Sequence, residues 1–523
     1  MFTPVRMSRM SVSGAAFSIV TAVFLLQSIF LPTLEANTYY VSTSGSDSNP
    51  GTIDQPFLTI PAAYNAAVAG DTIFVRGGRY SYGTTINLSK SGTSVNMYYL
   101  WAYPGERAFL DFSSMPLSSS NRGIKLSGKY WYIKGFDVYK AGDNGMNISG
   151  SYDIVEQCTF SQNQDTGLQL SGGSSFNRII NCDSYLNRDP GQGNADGFAP
   201  KLDVGTGNYF YGCRSWQNSD DGWDGYMRPP GGYGADTMKT MIVNCWSFMN
   251  GYLIDGSVGT GNGNGFKMGG SDSANLRHHM TLVNCLTFDN KSKGFDENNN
   301  RGTMLLYNCT SYGNTGNNFS IPGPIAAAET VLVENCAELG GKVLLGSFAV
   351  QTTDSWLLAS QTTSADFISI DTTGVTGPRK SDGSLPDVSF MHLAQGSHLV
   401  DAGTNIGLPY EGNAPDIGAF ESNWTSTVAG VRGLAGLSFR LEQNFPNPFN
   451  PSTVVSFELR VSSDMSLTIY DILGREITTL VAGRMETGIH RATFNASGLP
   501  SGIYFARLNA GTLSQTIKLL LVR

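Results

Sequence analysis

The apolar residues fall into many short runs, most of them closed by Gly, Asn or Ser, which predicts strands and turns. The first β-type run is Thr38 to Val41, followed by a turn-rich loop over residues 45–51. Residues 60–69 space their apolar positions as a short amphipathic helix does. Asp71-Thr72-Ile73-Phe74-Val75 then reads as a strand, ended by Gly77-Gly78. A helix placed there would cover the open end of a coiled sheet, where strand edges otherwise stand unpaired.

From about Lys125 a repeat takes over. Cysteines fall at Cys158, Cys182, Cys213, Cys245, Cys285, Cys309 and Cys336, with spacings of 24, 31, 32, 40, 24 and 27 residues. Each of the first six is followed five residues later by Asn163, Asn187, Asn218, Asn250, Asn290 or Asn314, while Gly341 breaks the rule after the last. Phe160, Tyr185, Trp216, Phe248, Phe288 and Tyr312 lie two or three places after the cysteines and are expected to form one column. A constant local pattern with variable spacing means one structural unit per coil, with insertions in the loops. Spacings of 24 are too short for propeller blades.

The fold expected is all-β, a parallel β-helix in which each coil pairs with the next at roughly 4.8 Å. Like residues then stack on like. The cysteines fill the interior as free thiols, because stacked side chains point in parallel and cannot take disulfide geometry. The asparagines form an amide ladder at a turn. A second column follows: Gly145-Met146-Asn147, Gly167-Leu168-Gln169, Gly197-Phe198-Ala199, Gly222-Trp223-Asp224, Gly265-Phe266-Lys267 and Gly294-Phe295-Asp296. Its large middle residues should point inward, so the third residues, from Asn147 to Asp296, point outward.

The ends differ. Arg6 and Arg9 precede an apolar run over residues 15–34 and a small-residue site at Leu34-Glu35-Ala36, the layout of a signal peptide over residues 1–36. Residues 343–421 are less repetitive. Residues 423–437 are small and polar, as a linker is. From Leu441 short alternating runs predict a small β-sandwich over residues 438–523. The net charge of −8 argues against nucleic acid as a partner.

Candidate chemistry gathers between Asn194 and Lys267. Asp196, Asp220, Asp221 and Asp224 fall on adjacent coils, where four carboxylates would repel unless a cation sat among them. Multiple carboxylates without Cys or His suit Ca²⁺ better than Mg²⁺ or Zn²⁺. Lys267, one coil from Asp224 in the outward column, is the candidate base, and would otherwise be expected to pair with Asp296. Lys201, Lys239, Arg228 and Arg277 are candidate holders of substrate carboxylates.

These motifs, Asn194 to Lys201, Asp220-Asp221-x-x-Asp224 and Asn262 to Gly270, resemble family 9 polysaccharide lyases, the parallel β-helix pectate lyases. The resemblance extends in layout over residues 38–421, with a cap-like N-terminus and closing segments at residues 395–402 and 413–421. The loop over residues 228–234 has no clear counterpart in it. It implies a right-handed β-helix catalytic domain over residues 37–422, Ca²⁺ held by Asp196, Asp220, Asp221 and Asp224, Lys267 as the Brønsted base, and β-elimination on polygalacturonate or a related acidic polysaccharide by a monomer. A β-helix glycoside hydrolase, with Asp220 and Asp221 as its acid–base pair, and a non-catalytic sugar-binding solenoid stay open as alternatives. The last 80 or so residues, with Tyr470-Asp471-Ile472-Leu473-Gly474-Arg475 and Gly498-Leu499-Pro500-Ser501-Gly502-Ile503-Tyr504, resemble the Ig-like C-terminal sorting domain of type IX secretion cargo. That implies the type IX machinery as partner and a secreted or cell-surface location.

Overall fold

The computed structural model describes residues 36–228, 238–271, 276–424, 439–441, 444, 447, 449–459, 463–471, 475–500, 502–510 and 513–521. The expected signal peptide, most of the linker, the loop after Arg228 and parts of the C-terminal motifs lie outside them.

Three parallel sheets run the length of a right-handed β-helix. Sheet 1 has twelve strands, from Thr38–Val41 to Val350–Thr352. Sheet 2 has ten, from Ile86–Leu88 to Val343–Leu345, and carries the Gly-apolar column. Sheet 3 has ten, from Gly78–Ser81 to Ala337–Leu339. The helix expected near the start forms at Ile60–Ala66, capped by the Thr59 hydroxyl, and buries Ile60 and Ala63 against the first coils. The C-terminal strands form antiparallel sheets of three and four strands around a separate core, a small β-sandwich.

Sharp corners between sheets come from single left-handed residues. One precedes each of the seven cysteines: Gln157, Asn181, Gly212, Asn244, Asn284, Asn308 and Asn335, all with φ between 49° and 63°. Asparagine and glycine tolerate that conformation best, which explains why five of the seven are asparagine. The cysteines are free and buried, as expected.

The asparagine ladder forms as expected and is wholly buried. Asn187 Nδ2 donates to Asn218 Oδ1 at 2.8 Å, Asn218 to Asn250 at 3.0 Å, and Asn250 to Asn290 at 2.9 Å. Each amide also donates to a hydroxyl three residues earlier, Ser184, Ser215, Ser247 or Thr287. Ser184, Ser215 and Ser247 in turn donate to the carbonyls of Gly197, Gly222 and Gly265. A Cβ at Gly222 would lie 1.9 Å from Ser247 Oγ, so the column admits glycine there and little else.

The aromatic column needs one correction. Tyr185, Trp216, Phe248 and Phe288 stack in sequence on the outer face of sheet 3, but Phe160 does not join them. It pairs in register with Ser184, in the inward column. Being two places from Cys158 rather than three, it points to the opposite face. Residues 367–424 pack over the outer stack, with Phe390 against Phe288 and Tyr312. Arg379 clamps that segment to Asp183 and to the carbonyls of Cys182 and Gly212.

A second ladder, unforeseen in the sequence, runs Asp153–Asn177–Asn208. Asp153 ends it, fully buried, with Oδ1 accepting from the Trp131 N–H at 2.9 Å and Oδ2 without a partner. Burial pushes this carboxyl up to about 8. The folded chain therefore holds a proton that the unfolded chain releases near pH 4, and stability falls as pH rises from about 4 to 8, on the order of 1 kcal/mol per pH unit from this group. Asp153→Asn should flatten the fall of melting temperature with pH across that window. An unchanged slope would mean that Asp153 is ionised in the fold.

Candidate functional site

The site lies on the outer face of sheet 2, where three coils carry Asp196-Gly197, Asp221-Gly222 and Asn264-Gly265. The large residues after each glycine point inward and stack: Phe198 on Trp223 at 4.9 Å, Trp223 on Phe266 at 4.8 Å. The register pairs Asp224 with Lys267 and Lys267 with Asp296, as the outward column requires.

All four aspartates and Lys267 come together, and all are buried. Asp196, Asp220 and Asp221 each offer a carboxylate oxygen, and the three lie within 4.8 Å of one another. Neighbouring backbone fixes them. Asp196 Oδ1 accepts from the Asp221 N–H, Asp220 Oδ1 from the Asn262 N–H, and Asp221 Oδ1 from the N–H and side-chain amide of Asn264. Asp224 stands beside this triad, with Oδ1 accepting from the Tyr226 N–H.

Two lysines enter the cluster. Lys267 Nζ lies 3.0 Å from Asp221 Oδ2 and 3.2 Å from Asp224 Oδ1. It does not pair with Asp296, which is held by Lys293 at 2.8 Å. Lys201 Nζ lies 2.6 Å from Asp196 Oδ2 and 3.4 Å from Asp224 Oδ2. Of the other candidate cations, Arg277 pairs with Glu329 at 3.1 Å, and Lys239 lies on sheet 1, away from the cluster. Arg228 is exposed just beyond the Leu202–Met227 bridge.

The electrostatics are tightly interlocked. Burial, then mutual repulsion, pushes Asp220 up to about 9, and burial with Asp224 and Asp221 pushes Asp196 up to about 8 against the pull of Lys201. Burial also raises Asp224, but Lys267 and Lys201 more than offset it and hold this carboxyl below its usual range. Burial alone would depress Lys267, yet Asp221 and Asp224 drive it above the ordinary lysine value. In this arrangement Lys267 keeps its proton. Asp221 Oδ2 is buried, and among the described residues its one partner is the Lys267 ammonium. An all-carboxylate donor set with one buried oxygen held only by that ammonium fits a hard cation such as Ca²⁺.

Sequence reasoning missed the support beneath the site. His278 is fully buried under it. Its Nδ1 lies 3.0 Å from the Gly225 carbonyl and its Nε2 2.8 Å from Thr240 Oγ1, contacts that a neutral ring satisfies by donating from Nδ1 and accepting at Nε2. Burial depresses it to about 4, so it is neutral at pH 7. Asn300 donates to the carbonyls of Met268 and His278, at 3.0 and 2.7 Å, and accepts from the His278 N–H. The pair ties the residue after Asp224 to the residue after Lys267. Neither sits in a repeating column, so periodicity carries no signal for them. Asn300→Ala strands two buried carbonyls and the His278 N–H and should cost upward of about 2 kcal/mol in denaturant unfolding, at about 1–3 kcal/mol per buried group left unsatisfied. A loss under about 0.5 kcal/mol, the range of an ordinary surface substitution, would show the bridge to be dispensable.

Residues 39–329 match the family described as "Pel9A-like, right handed beta helix region", and residues 443–522 match "Secretion system C-terminal sorting domain". The chain is 37% identical over 399 residues to a pectate lyase L of Dickeya chrysanthemi, covering 74% of this chain and 90% of the relative. Among solved structures it is similar to pectate lyase Pel9A, with a TM-score of 0.68 and 37% identity over 74% of this chain and 96% of that one. A rhamnogalacturonan lyase follows at TM-score 0.60 and 28% identity, over 69% of this chain and 97% of that one.

Proposed function

The chain belongs to the Pel9A-like right-handed β-helix family and is a polysaccharide lyase, and we propose that it is a secreted, Ca²⁺-dependent pectate lyase cleaving 4-linked polygalacturonate by β-elimination. The observation that carries this reading is the convergence of Asp196, Asp220, Asp221, Asp224 and Lys267 on one buried wall of sheet 2. The four aspartates would hold the calcium ion, which when bound supplies positive charge beside the substrate's C6 carboxylate and makes the C5 proton more acidic. Lys267 takes that proton at Nζ. The electron pair left at C5 forms the C4–C5 double bond as the C4–O4 bond breaks, giving an unsaturated uronide with no water consumed.

The carboxylates that hold the Lys267 proton are the same groups that would ligate the cation. Once Asp221 and Asp224 are so engaged, their pull on the ammonium weakens, and the amine becomes available as a base. This coupling favours elimination over hydrolysis, where Asp220 and Asp221 would need one free acid and one free base. The sorting-domain match supports export by type IX secretion; in this reading residues 1–36 are the signal peptide and the C-terminal sandwich is dispensable for catalysis.

Product absorbance in the ultraviolet from a conjugated uronide tests the reading directly. We expect it from polygalacturonate, abolished by a chelator and restored by Ca²⁺. Products without absorbance would mean hydrolysis, and activity confined to rhamnogalacturonan would move the substrate to that of the second structural neighbour. Lys267→Ala should cut turnover on the order of 10²–10⁴-fold while Ca²⁺ binding persists. An active Lys267→Ala enzyme ends its assignment as the base. A chain ending at Ser422 should keep its specific activity, and a folded but inactive one would give the sandwich a part in the cleft.

A further inference from the structure

Lys201 is unlike the other candidate cations around the site. It does not belong to the outward column; it follows the strand Phe198–Pro200, where its own N–H still pairs with the Leu170 carbonyl. Its side chain is 10% exposed, and its ammonium ends between Asp196 and Asp224, two carboxylates on neighbouring coils. Both oxygens of Asp196 are thereby engaged. Oδ2 meets Lys201 and the Thr166 hydroxyl, while Oδ1 accepts from the Asp221 N–H. Lys267 sits more loosely between Asp221 and Asp224, and Asp221 Oδ2 has no other partner among the described residues.

Charge decides what this arrangement can accept. Once a bound cation has displaced the protons of Asp196 and Asp220, and before Lys267 gives up its own, four carboxylates facing two ammoniums carry two surplus negative charges, which one divalent cation cancels. Without Lys201 the surplus is three, which a single divalent ion leaves unbalanced and a trivalent ion satisfies. At separations of a few ångströms and an effective dielectric of about 20, one such charge changes cation affinity by an order of magnitude or more.

We infer that Lys201 is a built-in counter-ion, which fixes the charge of the aspartate cluster so that it takes one divalent cation and releases it readily. This rests on the reading of the cluster as a cation site. Lys201 acts through Asp196 and Asp224 and is a positioning residue; Lys267 remains the group that meets the substrate.

The test uses the full chain as wild type, Lys201→Met and Lys201→Arg, with Ca²⁺ affinity and stoichiometry read by calorimetry and Tb³⁺ affinity by luminescence sensitised from Trp223 and Tyr226. Lys201→Met should bind Ca²⁺ about tenfold tighter or more, and Tb³⁺ should gain more than Ca²⁺ does. In chelator the same variant should melt below wild type, since its carboxylates have lost their counter-ion. Lys201→Arg, which keeps the charge, should return all values toward wild type. If Lys201→Met melts cooperatively with Ca²⁺ present yet binds the ion no more tightly, the inference is overturned. Lost turnover at unchanged Ca²⁺ affinity also overturns it, by placing Lys201 on the substrate. If wild type itself binds neither ion, the cation reading fails, a result obtained before any variant is made.

Discussion

Coil-on-coil registration is the constraint on which the rest depends. A parallel β-helix has no sequence-local reason to hold a carboxylate of one turn against a lysine forty residues later. What does so is the buried chain of hydrogen bonds running from the asparagine ladder through Ser184, Ser215 and Ser247 to the carbonyls of Gly197, Gly222 and Gly265. Those three glycines immediately precede the strands that carry Ala199, Asp224 and Lys267. A slip of one residue would turn every side chain of a strand to the other face. The ladder opposes that slip strongly, because a slipped coil would leave its buried amides unsatisfied.

The site itself is held together by charges that few interiors tolerate. Buried ions are costly unless each finds a partner, and here every carboxylate has backbone donors or an ammonium. The balance is incomplete, however: four carboxyls meet two ammoniums, and Asp221 Oδ2 is held by the Lys267 ammonium alone among the described residues. The fold thus supplies a rigid, pre-paired frame that gains by accepting positive charge. The neutral His278 and Asn300 beneath it add position without adding charge.

Much of this was legible in the sequence because stacking repeats itself. The cysteines, the asparagines and the Gly-apolar triplets are columns, so a period exposes them, and the outward positions of Asp224 and Lys267 follow from alternation. Phe160 was misplaced because an offset of two rather than three reverses its face. The second ladder was hidden because its members, Asp153, Asn177 and Asn208, are few and share no neighbouring motif. Lys201 could be seen as a cation but not as a member of the cluster. It lies past the end of a strand, where register no longer dictates where a side chain goes.

The irregular parts of the chain are concentrated where the site is. Cysteine spacings are 24 residues in the coils on either side, but 31, 32 and 40 across the coils that carry the aspartates and Lys267. Among the described residues, the insertion before Gly265 is joined to the site rather than merely adjacent to it. In the insertion before Gly265, the Asn262 N–H binds Asp220 and Asn264 binds Asp221, while Lys291 holds the carbonyls of Gly259 and Gly261 from the next coil. Thr260 reaches across to the Gly191 carbonyl and to Gln192, in the insertion that precedes Asp196. The insertion before Gly265 is therefore tied both to a neighbouring loop and to two carboxylates of the cluster. A change of loop length that altered the cleft would also disturb Asp220 or Asp221. Cleft shape and cluster geometry are in this way coupled, and the regular coils beneath set the spacing that both must meet.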